Sequence, residues 1–493
     1  MKYWKIAAIV LSAVLLAAWL ASTAIPAEQA MEAPLPGSFR GKNLIILSFE
    51  STRADHIGFL GYYRNTTPNL DRFVENAYVF ENARSQGCWT PMSFAAFFTG
   101  RFPEKIGIRG FPVPDYLKML PEIMAENGYK TAAFTENNTF YKSYGLQQGF
   151  EKYELEGAKI GYENELMGWV RKNKGEKLFL LVQLRSAHEA YLPKKPYDTM
   201  FDPDYSGNMP KTKDEFYALW QQENAKRIQQ GKEKVDASTL FWVLAEGQKL
   251  EDVNDSLLEN YLMQSVKVRG EKMPSHDHLV ALYDGYIREG DEFFGRFIAD
   301  LKKEGLLDSS IIVIHSDHGE GFYEHNQYDH AYGMYEELLH VPLAIRFPGQ
   351  EEGVRVKERV RLVDFTPTVI DLLGLEADSN VKQEMDGTNF FEALKENPDY
   401  AFPVFNYFDA FNPDYEFPDA YNYRQRMTEK ILSIETADGW RLDYTLGTDE
   451  VALYNLNNDK FGQKNIAAEH PEKAGELKNQ LFAHYGYLLG GGE

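Results

Sequence analysis

The sequence predicts an α/β protein: a large, mostly parallel sheet between helical layers, plus a small C-terminal α+β subdomain with an antiparallel sheet. Three observations lead there. Apolar runs without alternation recur at Asn43–Phe49, Thr131–Thr135, Leu178–Leu184 and Ile311–Ser316, as expected of strands buried on both faces. Helical patterns, for example Pro121–Asn127 and Gly290–Glu304, lie between them, and such alternation builds a parallel sheet. Beyond Pro403 the rhythm turns to short alternating stretches at Lys430–Glu435, Trp440–Leu446 and Val451–Leu456, followed by a helix over Pro471–Tyr485.

Taken in chain order, the N-terminus comes first. Met1-Lys2-Tyr3-Trp4-Lys5 is basic, and no charged residue occurs from Ile6 to Ala27. That run has room for the roughly 20 apolar residues of a spanning helix. Lysines before it and Glu28 and Glu32 after it orient it N-in, C-out. Ser22-Thr23-Ala24 resembles a signal-peptidase site. Residues 1–27 are therefore a cleaved signal peptide or a retained membrane anchor, and either places the body outside the cytoplasm, in the periplasm or extracellular space. Residues 28–42, with Pro34, Pro36 and Gly37, read as a linker. A catalytic domain over 43–400 follows, interrupted at 206–277 by a charge- and amide-rich helical insertion that reads as a plain excursion, with a solvated cap over the site as the alternative. Residues 401–493 form the C-terminal subdomain. No internal repeat is present.

Composition narrows the function. The chain of 493 residues is 44% hydrophobic and 26% charged, with a formal net charge of −22. That balance lacks the basic face nucleic acid requires, so nucleic acid is excluded as a partner. Cys88 is the single cysteine, so no internal disulfide exists; it reads as a small buried residue.

In open α/β sheets, ligands bind beyond the carboxyl ends of the strands. Glu50 follows the first predicted strand, Asp317 and His318 follow the 311–316 strand, and His188 closely follows the 178–184 strand. Two carboxylates and imidazole nitrogens converging there suit a divalent cation with mixed O/N ligands. Singly each has a duller reading, a cap or a turn; together they point to a site. Trp89-Thr90-Pro91 precedes the apolar run Phe94–Phe98, with Pro91 fitting the first helical position and Thr90 the N-cap. A hydroxyl there lies where N–H groups and the helix dipole favour developing negative charge.

At this point a resemblance becomes specific. Glu50-Ser51-Thr52-Arg53-Ala54-Asp55-His56-Ile57-Gly58, Thr66-Thr67-Pro68-Asn69-Leu70-Asp71, Ala281-Leu282-Tyr283-Asp284-Gly285, Ser316-Asp317-His318-Gly319-Glu320, and Tyr335–Pro342 resemble, in kind and order, the sulfatase family of the alkaline phosphatase superfamily. Leu362–Thr368 and Tyr454-Asn455-Leu456…Asn465 continue it. The resemblance implies an alkaline-phosphatase-like sandwich and an anionic ester as substrate.

The departures sharpen the expectation. Sulfatases that use formylglycine carry Cys or Ser in a C/S-x-P-x-R motif, whereas Thr90 stands at that position, Met92 replaces the proline and Phe94 the arginine. Glu50 stands where Asp is usual and Ser51 where a second Asp is common. Glu, Thr and Asp-His are instead the set of lipid A phosphoethanolamine transferases and lipoteichoic acid synthases. Similarity to those enzymes extends to His188 and to His330, twelve residues past His318, which match histidines that hold the phosphate group. Those enzymes carry several N-terminal membrane helices and this chain one at most.

The resemblance thus implies that Glu50, Asp317, His318 and the Thr90 oxygen bind one divalent metal ion, with Zn or Mn favoured over Ca. Thr90 is the expected nucleophile, and His188 and His330 are expected to grip the phosphate or sulfate ester and assist proton transfer. Two alternatives stand beside a phosphoryl-cleaving hydrolase or transferase: a sulfate-ester hydrolase working without formylglycine, and a non-catalytic envelope binding protein. Arg53, Asp55 and His56 read as structural, His315 as a packed core residue, His325 as a secondary candidate, and His340 as packing beneath the site.

Overall fold

The computed structural model describes residues 33–106, 113–136, 144–155, 162–232, 234–249, 272–330, 333–396, 404–408 and 430–489. The predicted N-terminal signal or anchor, residues 1–27, lies outside them, as does part of the predicted insertion.

An eight-stranded sheet organises the chain. Its strands are β1 (Asn43–Phe49), β2 (Tyr78–Arg84), β3 (Lys130–Thr135), β4 (Lys152–Leu155), β5 (Leu178–Leu184), β6 (Ser310–His315), β9 (His340–Arg346) and β10 (Val354–Arg361), with β7 (Gly321–Phe322) and β8 (Tyr328–Asp329) forming a separate short ribbon. The order is β10-β2-β9-β6-β1-β5-β3-β4, and only β9 runs against its neighbours. This is the predicted fold class. Every residue of β1 and β5 is buried, which is why both read as unbroken apolar runs. Because β1 lies between β5 and β6 in parallel register, Phe49 beside Leu184 and Ser48 beside His315, three central strands end at one level.

The helix predicted over Gly290–Glu304 is the second half of a longer one, His276–Lys303. Its early turns carry Tyr283, Asp284 and Gly285, all buried. Asp284 gathers His56, Tyr62 and Arg64 at 2.7 Å each, and a Cβ on Gly285 would lie 2.2 Å from the Tyr197 carbonyl oxygen. The Ala281–Gly285 motif is thus a packing hub.

Where it is described, the 206–277 segment is largely helical, and part of it belongs to the core. Lys213–Gln229 and Ala237–Ala245 are helices, and Leu240 to Ala245 are buried within the main hydrophobic cluster. The segment's charge disguised a nine-residue helix that completes the core, and its last residues already belong to the 276–303 helix.

The C-terminal strands β11 (Val404–Phe408), β12 (Lys430–Glu435), β13 (Trp440–Leu446) and β14 (Glu450–Asn455) form an antiparallel sheet. Helix Pro471–Leu489 covers it through Leu477, Leu481 and Tyr485. A buried ionic network ties this sheet to the large one: Glu435 on β12 meets Arg84 of β2 at 3.2 Å and Arg359 of β10 at 2.7 Å, while Arg84 also meets Glu336 at 2.7 Å.

Candidate active site

At the end of β1 the chain stops being strand but keeps one more sheet bond, Glu50 N–H donating to Leu184 O at 3.0 Å. Ser51 then turns with φ +55, a left-handed value that few residues with side chains adopt. The turn is clamped from outside. Ser51 N–H donates to Asp317 Oδ1 (3.2 Å) and Thr52 N–H to Ser316 Oγ (2.9 Å). The Tyr283 hydroxyl accepts from Arg53 N–H and donates to Ser51 O. Glu50 and Asp317, 267 residues apart, are thereby fixed side by side.

Thr90 differs from its predicted place. It is the first residue of helix Thr90–Thr99, with Trp89 in the cap position and no side-chain cap bond there. The hydroxyl is turned inward instead, donating toward Glu50 Oε1 at 3.1 Å and lying 3.3 Å from His318 Nε2. Burial explains the difference: Thr90 is 1% exposed and Glu50 0%, so a buried carboxylate takes a hydroxyl that would otherwise have served the helix.

His318 Nδ1 lies 2.8 Å from Gly319 O, a contact only a protonated Nδ1 satisfies, which leaves the Nε2 lone pair facing Thr90 and Asp317 Oδ2 (3.6 Å). Burial holds this imidazole down to about 4, despite Asp317, so it is neutral. Burial likewise pushes Glu50 up to about 7, with Asp317 adding to the push and His188 and Arg185 opposing it. Glu50 Oε2 and Asp317 Oδ2 are fully buried and accept no hydrogen bond. Unpaired buried carboxylate oxygens cost several kcal/mol, roughly. Two such oxygens, a neutral imidazole lone pair and a hydroxyl oxygen fit a divalent cation with mixed O/N ligands.

His188 and His330 stand on the opposite wall, their rings 4.9 Å apart, with His330 4.5 Å from His318. Each is pinned through Nδ1. For His188 the partners are Glu189 O (2.8 Å) and the Glu189 carboxylate. For His330 they are Asp329 Oδ1 (2.9 Å) and Glu320 Oε1 (3.2 Å). This leaves the Nε2 edges for the site, that of His188 being 3.7 Å from Glu50 Oε1. Burial lowers His188, but Glu189 and Glu50 outweigh it and raise it to about 9. His330 is likewise depressed by burial, yet Glu320 and Asp329 lift it well above its ordinary value. Two imidazoles whose carboxylate partners favour the protonated form thus face a buried pair of carboxylates, an arrangement able to hold an anion between them and a cation.

The structure therefore gathers Glu50, Thr90, His188, Asp317, His318 and His330 in one buried cluster near the ends of β1, β5 and β6. The residues set aside lie elsewhere. His315 stacks on Phe97 at 4.5 Å in the core, His325 pairs with Glu337 at 2.7 Å, and His340 pairs with Glu336 and Glu81 O. Arg53 is held by Asp55 and Glu324. Sequence reasoning missed Glu189, Glu320 and Asp329, although each adjoins or follows a residue it had singled out. Arg185, whose Nη2 is 3.5 Å from His188 Nδ1, was missed as well. Gly319 leaves no room at the site's floor: a Cβ there would lie 1.9 Å from the Glu337 carbonyl oxygen.

Comparison with known proteins finds both family and structural likenesses. The Sulfatase family model matches residues 42–375, about two thirds of the chain, and the model "N-sulphoglucosamine sulphohydrolase, C-terminal" matches residues 323–485. Arylsulfatase K of Xenopus laevis is 28% identical over 211 residues, 41% of this chain. The match spans only 36% of that relative's length. An N-acetylglucosamine-6-O-sulfatase of Bacteroides thetaiotaomicron is 21% identical over 515 residues, covering 94% of this chain and 88% of its own. Among solved structures, a protein in complex with its substrate D-glucosamine-2-N,6-O-disulfate superposes with a TM-score of 0.65 at 19% identity, covering 92% of this chain and 99% of that one. The phosphonate monoester hydrolase of Agrobacterium radiobacter gives 0.64 at 18% identity, covering 90% and 96%.

Proposed function

The chain belongs to the sulfatase family, and on that premise we propose that it is a metal-dependent enzyme that cleaves phosphate or related sulfate esters through a covalent bond to Thr90. The observation that carries the proposal is the Thr90 hydroxyl, buried 3.1 Å from Glu50 and 3.3 Å from His318, at a helix start and opposite two pinned histidines.

Glu50, Asp317, His318 and the Thr90 oxygen would hold one divalent cation, with Zn²⁺ or Mn²⁺ suiting the mixed donors better than Ca²⁺. When bound, such an ion lowers the pKa of the hydroxyl and neutralises developing negative charge. The chain's own groups do the rest. Glu50 Oε1 and His318 Nε2 orient the hydroxyl for in-line attack. Nε2–H of His188 and of His330 donate to the non-bridging oxygens, and either can protonate the departing oxygen. The Thr90 ester is then resolved by water or by an acceptor alcohol. The helix start adds N–H groups and the positive end of its dipole on the same side.

Threonine itself discriminates between the esters. A hydrated aldehyde expels sulfate by collapsing back to the aldehyde, whereas a threonine sulfate requires water to attack sulfur directly. A threonine phosphate is resolved at phosphorus with histidine help. An aryl phosphate should therefore turn over faster than the aryl sulfate bearing the same leaving group, and quenched reactions should carry a phosphoryl mass adduct on Thr90. A clear preference for the sulfate overturns the phosphate reading. It would favour the second one, a sulfate-ester hydrolase without formylglycine, which the curated sulfatase relatives support.

We further propose that the enzyme works outside the cytoplasm, delivered or anchored by residues 1–27, whose uncharged run follows a basic start. Cell fractionation should recover it in the periplasm, the medium or the membrane fraction; recovery in the cytosol would refute export.

A further inference from the structure

Behind the histidine wall lies a second group of ligating side chains, of which the proposed reaction uses only His330. Glu189, Glu320, Asp329 and His330 are all buried, and one ligand atom from each lies within 4.8 Å of the others. Twice a metal–oxygen bond of about 2.4 Å spans that separation. They come from separate parts of the chain: Glu189 from the loop after β5, Glu320 from the turn after β6, and Asp329 and His330 from the end of the β7–β8 ribbon.

The acidic cluster is not its own explanation, because two further groups are left over inside it. Glu320 Oε2 is fully buried and accepts no hydrogen bond. Tyr191 is 0% exposed, its hydroxyl likewise finds no partner, and that hydroxyl lies in the field of Glu320, Asp329 and Glu189. It is packed there by Tyr283, Phe322 and Trp242, so it cannot swing to solvent. Buried polar groups in native proteins are paired, and an orphaned pair around three carboxylates marks a place for a partner.

We propose that Glu189, Glu320, Asp329 and His330 Nδ1, with the Tyr191 hydroxyl beside them, bind a second divalent cation. Three carboxylates with one imidazole suit Mn²⁺, which accepts both donor types. On binding, the cation takes the place of the proton on His330 Nδ1, which is released to solvent. His330 Nε2–H stays directed at the ester site, so the second ion stiffens the anion-binding wall from behind and leaves protonation of the departing oxygen to His188. The inference goes beyond the proposed ester chemistry, since it requires no turnover.

The test uses the full chain, stripped with a chelator, reloaded with MnCl₂ alone, desalted and analysed for metal per chain. Two equivalents are expected in the wild type, one in Glu320→Gln and in Asp329→Asn, one in Glu50→Gln, and none in Glu50→Gln/Glu320→Gln. Mn²⁺ should raise the unfolding temperature of Glu50→Gln and leave that of the double variant unmoved, which reads the second site in a protein shown to be folded. One equivalent in the wild type, or two retained in both Glu320→Gln and Asp329→Asn, overturns the proposal. Loss of one equivalent in Glu320→Gln with none lost in Glu50→Gln upholds it and refutes the ligand set at Thr90 instead.

Discussion

Thr90→Ala should abolish ester cleavage, lowering kcat by about a thousandfold or more, equivalent to roughly 4 kcal/mol of barrier. The nucleophile and one oxygen of the proposed cation shell disappear together, so the two losses compound. The variant should nevertheless fold. The Thr90 hydroxyl donates to Glu50, and without it a buried carboxylate oxygen loses one neutral donor, a cost of about 1–3 kcal/mol. Thr90→Ser keeps the oxygen and drops a methyl group, so it should retain a measurable part of the rate. Initial rates on an aryl phosphate, set beside thermal unfolding of the same preparations, decide the matter. Undiminished turnover in Thr90→Ala removes Thr90 from the reaction, and an alanine protein that fails to fold would show that burial of the hydroxyl is structural.

Removing a carboxylate at the end of β1 or β6 should have an effect of comparable size by another route. Glu50→Gln and Asp317→Asn keep the shape of the site but withdraw charge from a cation shell, and His318→Ala deletes its only imidazole nitrogen. Each should lose one equivalent of divalent ion relative to the wild type by elemental analysis, with activity falling by about two to three orders of magnitude. Glu50 is the most telling of the three. Its Oε2 accepts nothing from the protein, so an amide there leaves the surrounding hydrogen bonds intact and the loss reports on the ion. Equal metal in wild type and in all three variants would dissolve the assignment.

The central strands and the groups at their ends were legible because one physical fact produced both signals. A strand covered on both faces must be apolar throughout, so the first charged residue after it, Glu50 or Asp317, marks the edge of the sheet. Helix-start chemistry alone did not distinguish a capping hydroxyl from one turned inward; only the family resemblance pointed to the second. Thr90 satisfies either role at the same position, and the choice depends on Glu50 coming from another strand. The buried helix Ala237–Ala245 was hidden because charge-rich flanks dominated the window around it. Glu189, Glu320 and Asp329 escaped for a different reason. An acidic residue beside a histidine is common on surfaces, and only the tertiary fold shows all three withdrawn from water behind His188 and His330. A left-handed φ of +76 at Asp329, a strain that clusters at functional sites, is likewise invisible in a one-letter code.

The ionic bridge between the two sheets bears on how the molecule is made. Arg84 and Arg359 are enclosed in the large sheet, yet their carboxylate Glu435 is translated 351 residues after the first of them. A growing chain that has emerged only as far as residue 400 has every strand of the large sheet but must leave these guanidinium groups without that partner, a deficit of about 3–5 kcal/mol for a broken buried pair. Domains usually finish folding in the order they leave the ribosome; here the first sheet cannot complete this ionic bridge until β12 of the second has been made.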